Sequence, residues 1–135
     1  MSNLTVWFIR CAMVYLVLAV LLGIHMGQAG PQYPYRPIHT HLNLLGWMSM
    51  MIFGVSYHIL PRFSGQPLWS ESLSLWHLWL ANIGLVGMSL GWVVASAGGG
   101  SFVLIAFSII EAVSVVFFVT NMFKTIKATP PPKKG

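Results

Sequence analysis

The chain has 135 residues, of which 56% are hydrophobic and only 7% charged, against about 25% charged in an ordinary soluble domain. A chain this short cannot hide so much apolar surface from water by folding on itself, so the composition excludes a water-soluble globule and points to lipid as the solvent. The formal net charge of +5 comes from seven Lys and Arg set against two acids. These basic residues stand at the ends of apolar runs, a pattern of membrane topology rather than of nucleic-acid binding.

The expected fold is all-α, a four-helix transmembrane bundle. A helix needs about 20 mostly apolar residues to cross a bilayer, and four stretches qualify. The first runs roughly from Val6 to Gln28 and is broken by Gly30, Pro31, Pro34 and Pro37. Its basic flank is weak and its apolar run is long enough to span, so it reads as a membrane helix rather than a cleavable signal. The second runs from about Ile38 to Leu60 and is expected to stop at Pro61; a polar loop with Gly65 and Pro67 follows. The third covers about Leu73–Ala97, Gly98–Gly100 permits a tight reversal, and the fourth covers about Phe102–Lys124. Residues 1–127 form one membrane domain by this reading, and the Pro- and Lys-rich residues 128–135 read as a disordered tail.

Four antiparallel spans put both termini on one side, with the second loop. That side holds Arg10, Arg62, Lys124, Lys127, Lys133 and Lys134, while Arg36 stands alone on the other. The bias predicts cytoplasmic termini in the inner membrane of a bacterium and a Gln28–Pro37 loop on the periplasmic side. Trp7, Tyr33, Tyr35, Trp69 and Trp76 lie near helix ends as an interfacial belt. Cys11, the single cysteine, allows no internal disulfide and reads as a small apolar filler.

Five histidines lie in or beside the spans: His25, His39, His41, His58 and His77. Ionisable groups at membrane depth are costly and tend to be functional. A single one is readily accommodated by a bond to a backbone carbonyl; five, in a chain with two acids, ask for more. His25, His39 and His41 lie near the periplasmic face, His58 and His77 near the cytoplasmic one. His39 and His58 are 19 residues apart, about 28 Å along a helix, and cannot share a metal. His39 and His41 are roughly 200° apart around the helix and face opposite ways. His39 therefore needs a partner from another helix, and His25 is the nearest candidate within the chain.

Zinc would want four converging ligands, and none are grouped so. Haem iron needs one or two axial imidazoles and an apolar slot, which a membrane bundle offers. The lack of a Cys-x-x-Cys-His run excludes covalent attachment through that motif, leaving a non-covalently held haem, one or two per chain, with the second, if present, expected between His58 and His77. Gly46 and Gly54, on or near the His39 face, would let a flat ring or a neighbouring helix approach. Arg36, three residues before His39, could pair with a haem propionate or snorkel to the interface.

The run Arg36-Pro37-Ile38-His39-Thr40, the apolar helix to Tyr57 and the following Arg62 resemble the second transmembrane helix of the haem–copper oxidase catalytic subunit, in its C-family (cbb-type) form. The resemblance continues through Leu68-Trp69 and Trp76-His77-Leu78-Trp79, and extends to the nitric oxide reductase large subunit. It implies that His39 is an axial ligand of a low-spin haem b and that Arg36 lies by its propionates. His77 matches a third-helix histidine, while His25, His41 and His58 have no counterpart in the motif. The four spans lack the later histidines that the family uses for its second ligand, its oxygen-reducing haem and its copper, so no complete oxygen-reducing site is expected within them.

Glu111, in the middle of the fourth helix, is expected to be neutral, bonded to Asn82, His41 or another polar group, or to act as a proton carrier. Met26, Met48 and Met50 remain alternative axial ligands. These features support a membrane b-type cytochrome for electron transfer, with a periplasmic cytochrome c, the quinone pool or a larger redox complex as partner, and a homo-oligomer as one assembly. A haem-based sensor or haem-handling protein for nitric oxide or oxygen, and a subunit completing a split oxidase or reductase, stand beside it.

Overall fold

The structure is a computed structural model that describes residues 1–127; the tail expected at 128–135 lies outside the described residues. Four helices account for nearly all of it: α1 (Asn3–Ala29), α2 (Tyr35–Phe63), α3 (Glu71–Ser96) and α4 (Phe102–Thr125). Each is long and apolar enough to cross a membrane. Capping follows the local sequence. The Ser2 hydroxyl accepts from the Thr5 amide at the start of α1, and the Ser70 hydroxyl accepts from the Leu73 amide at the start of α3. Glu71 sits in the first turn of α3, where the helix dipole favours a carboxylate. Between α3 and α4 the chain reverses through Gly98 and Gly100, at φ 84° and 73°, a region that glycine enters without a Cβ clash.

Helix α2 departs from expectation at both ends and in the middle. It begins at Tyr35, ahead of Pro37, because the missing amide of a first-turn proline has no partner in a helix anyway. It also continues past Pro61 to Phe63, since a proline in the last turn interrupts only the end of the bonding ladder. Between Leu42 and Ser49 the backbone winds as a π-helix, flanked by α-helical Tyr35–His41 and Met50–Phe63. The buried stripe Ile38, Leu42, Gly46, Met50 advances in steps of four residues. Such steps over-rotate by about 40° each in an α-helix. The wider π turn absorbs part of that drift and keeps the stripe on the bundle.

The helices pair as α1 with α2 and α3 with α4, and α2 and α3 join the two pairs. The α3–α4 contact is the tightest because three glycines clear it. A Cβ on Gly84, Gly87 or Gly91 would overlap Glu111, Phe107 or Leu104 respectively. The outer faces carry Val14, Val17, Leu21, Leu90, Ile109 and Val116, all about half exposed. In water this would be prohibitive; in a bilayer it is the required surface.

Candidate functional site

The bundle has two ends of different character. One holds both ends of the described chain, together with the α2–α3 loop; the other holds His25, Arg36, His39 and His41. His39, in the second turn of α2, turns toward α1, where its Nδ1–H donates to the carbonyl oxygen of Ala19 at 3.0 Å. Its Cε1 lies where Gly23 has no side chain, and a Cβ there would come within 3.1 Å. Asn43, one turn further on, donates to the His39 carbonyl at 2.9 Å and stands 3.4 Å from Nε2. The imidazole is thus fixed in one tautomer by a backbone carbonyl on another helix. Its Nε2 accepts only a long bond from the Asn43 amide, at 3.4 Å, and is the ring nitrogen that a metal displacing that bond would meet, since a bond at one ring nitrogen selects the other as ligand. Arg36 is exposed on the same side of the helix, one turn nearer the end.

The other histidines do not converge on this point. His41 donates from Nδ1 to the Pro37 carbonyl at 2.9 Å and packs on Trp92 of α3, its ring centroid 4.6 Å away. It therefore faces the α3 side while His39 faces α1. His25 is exposed and meets the edge of Tyr35 at 5.0 Å. It lies two residues beyond Gly23, roughly 200° around α1 from the face that receives His39. Of the methionines, Met50 is buried in the core and Met48 is half exposed.

At the opposite end, His58 accepts at Nε2 from the Arg62 guanidinium at 2.8 Å. His77 is fully buried, with Nδ1 3.0 Å from the Tyr57 hydroxyl. The rings of Phe8, Phe53, Tyr57 and Phe118 enclose it, with centroids between 4.6 and 5.8 Å. His58 turns to Arg62 while His77 is enclosed by these rings, so the helices bring the two residues to one end of the bundle but do not turn them toward a shared slot. Among the described residues no three His, Cys, Asp or Glu side chains gather as a metal cluster.

Glu111 is buried at 6% exposure against Gly84, and its Oε2 has no hydrogen-bond partner. The expected bond to Asn82 or His41 does not form. Asn82 is engaged by the Tyr15 hydroxyl at 2.8 Å and by the Leu78 carbonyl at 2.7 Å, and His41 by Pro37. Sequence reasoning missed Ala19, Gly23 and Tyr57. Asn43 carried a signal, since it stands four residues after His39, one turn along the same face.

No family model and no solved structure matches the chain. Over 49 residues, 36% of the chain, it is 47% identical to the cytochrome c oxidase subunit 1 of Rhodobacter capsulatus and 43% identical to a cytochrome c oxidase subunit 1 homolog of Agrobacterium tumefaciens (strain T37). It is 41% identical over the same length to a cbb3-type cytochrome c oxidase subunit of Stutzerimonas stutzeri. The matched stretch spans only 9% of the first two proteins and 10% of the third. A segment of this identity, set among four helices of membrane-crossing length, makes the chain a relative of haem–copper oxidase subunit I.

Proposed function

We propose that this protein is a membrane b-type cytochrome that binds haem b non-covalently through Nε2 of His39 and serves electron transfer. The observation that supports this most directly is the bond from His39 Nδ1–H to the Ala19 carbonyl, which presents the other nitrogen as a ligand. Arg36, exposed one turn toward the membrane surface, is suited to pair with a haem propionate. Gly23 provides the room that lets the imidazole approach α1 closely. When bound, haem iron supplies a one-electron redox centre. The chain's residues hold it at one membrane face, and the lipid-facing helices exclude water from it.

His25 remains a candidate second ligand, but its place on the far side of α1 from Gly23 favours a ligand from another chain. A homo-oligomer or a larger redox complex would supply it, with a periplasmic cytochrome c or the quinone pool as electron partner. The basic residues Arg10, Arg62, Lys124 and Lys127 at the termini end, against Arg36 at the other, support cytoplasmic termini in a bacterial inner membrane. Haem at His39 then lies toward the periplasm. The test is a pyridine haemochrome assay on protein purified from detergent after expression with ample haem. A b-type spectrum is expected, and a haem-free preparation would overturn the reading.

One observation favours a second reading. Among the described residues no other imidazole meets His39, so a haem held by this chain alone would keep an open coordination position, as in a nitric oxide or oxygen sensor. A carbon monoxide difference spectrum separates the two: a large shift marks five-coordinate haem, and no shift marks a six-coordinate electron carrier.

A further inference from the structure

Two buried side-chain atoms among the described residues lack a hydrogen-bond partner, His77 Nε2 and Glu111 Oε2. They belong to one line. His77 on α3 packs against Phe118 on α4, and Gly84 on α3 packs against Glu111 on α4. Seven residues along α3 thus correspond to seven in the opposite direction along α4. The two residues that carry the unpartnered atoms meet the same α3–α4 interface two turns apart, about 10 Å along the axis. Between them, at the same register, lie Ala81 and Ser114, both fully buried and both small. The Ser114 hydroxyl donates to the Glu111 carbonyl at 2.7 Å and keeps its lone pairs free.

The line has an entrance. A cleft of about 940 Å³ opens at the termini end, and Tyr57, Arg62, Glu71 and Ser74 help to line it. Tyr57 is the residue whose hydroxyl meets His77 Nδ1. Toward the middle of the membrane, Tyr15 of α1 is bonded to Asn82 of α3, two residues before Gly84. A neutral carboxyl is required at Glu111, because a bare carboxylate without a partner is costly to bury.

We propose that Tyr57, His77 and Glu111 form a proton relay from the cleft at the termini end to the centre of the membrane. A proton enters at the Tyr57 hydroxyl oxygen as the phenolic proton passes to His77 Nδ1. The imidazole releases its Nε2 proton toward Glu111 along the Ala81–Ser114 seam, with transient water and the Ser114 hydroxyl as carriers. Glu111, already protonated, takes the incoming proton on its unpartnered Oε2 while its own proton returns along the same line, which also restores the starting tautomer of His77; each group ends with the number of protons it began with, and no electron moves. The relay requires no haem, so it stands or falls separately from the cytochrome reading.

The composition makes the test direct, because the chain has only two acids and Glu71 is exposed. Infrared spectra of the full chain in lipid should show one protonated carboxyl band, absent in Glu111→Gln. On transfer to heavy water that band should shift within the mixing time. In Tyr57→Phe, which removes only the hydroxyl, the shift should slow by about a hundredfold, the lower range of what a positioned proton donor contributes. His77→Leu should slow it likewise, with the amide bands reporting that both variants stay folded. Absence of a protonated carboxyl band, or exchange in Tyr57→Phe as fast as in the parent protein, would overturn the relay.

Discussion

His39 and His41 share a helix turn and the same local device, an Nδ1–H given to a backbone carbonyl, yet they stand in different chemical positions. His39 reaches across to α1, whereas His41 bonds within its own helix and is covered by Trp92. Replacing His39 by Ala should therefore remove haem or turn a low-spin spectrum high-spin, while His41→Ala should retain haem; absorption spectra and haem content of the two variants decide this. Gly23 gives a second handle. A Val there would drive its branched side chain into the imidazole, so Gly23→Val should lower haem occupancy while leaving the four helices intact by circular dichroism. The opposed faces of His39 and His41 were legible in the two-residue spacing alone, because helix rotation per residue is local. The acceptor at Ala19 was not legible. A backbone carbonyl is the same group at every residue, and which one meets His39 depends on how α1 lies against α2. For the same reason Glu111 was recognisable as an acid at depth, while its failure to find Asn82 was not, since Tyr15 had already engaged that amide.

At the scale of elements, the boundaries of α1, α3 and α4 fell within a few residues of expectation because apolar runs of spanning length admit little else. Helix α2 was misjudged at Pro37 and Pro61, where position within the turn, not the presence of proline, decides whether a helix survives. The π segment left no mark in composition; it follows from the need to hold a four-residue stripe against two neighbours. The glycines of α3 were visible, but their partners on α4 emerge only from the antiparallel register. A glycine at a helix contact and one on an open face predict opposite responses to one methyl group. At Gly87 a Cβ meets the Phe107 ring, so Gly87→Ala should destabilise the bundle by about 1–3 kcal/mol. At Gly27, in the last turn of α1, nothing beyond the local helix backbone would lie within 4 Å of a Cβ, and Gly27→Ala should stabilise by up to about 0.5 kcal/mol. Unfolding titrations in mixed micelles would measure both.

The whole molecule places His39, the proposed haem ligand, at one end and the caged His77 with a cleft at the other. If the termini are cytoplasmic, a thiol-reactive reagent added outside the cell should label Gln32→Cys and spare Ser64→Cys in a Cys11→Ala background. The reverse pattern would move His39 to the cytoplasmic side. That the histidines divide between the two ends of the bundle was legible from their positions along the spans. The enclosure of His77 was not, because Phe8, Phe53 and Phe118 come from three different helices. The π segment of α2 has a consequence for the relation between these faces. It acts as a phase shifter midway along a single rod: the angle at which His39 meets α1 and the angle at which Tyr57 meets His77 are set on either side of it. Excising one lipid-facing residue from it, Leu44, should let the segment relax to ordinary α-helical winding. The halves would then be rotated against each other by a fraction of a turn. One end could keep its alignment only by forfeiting that of the other, so a one-residue deletion would uncouple haem retention from proton access without cutting the chain.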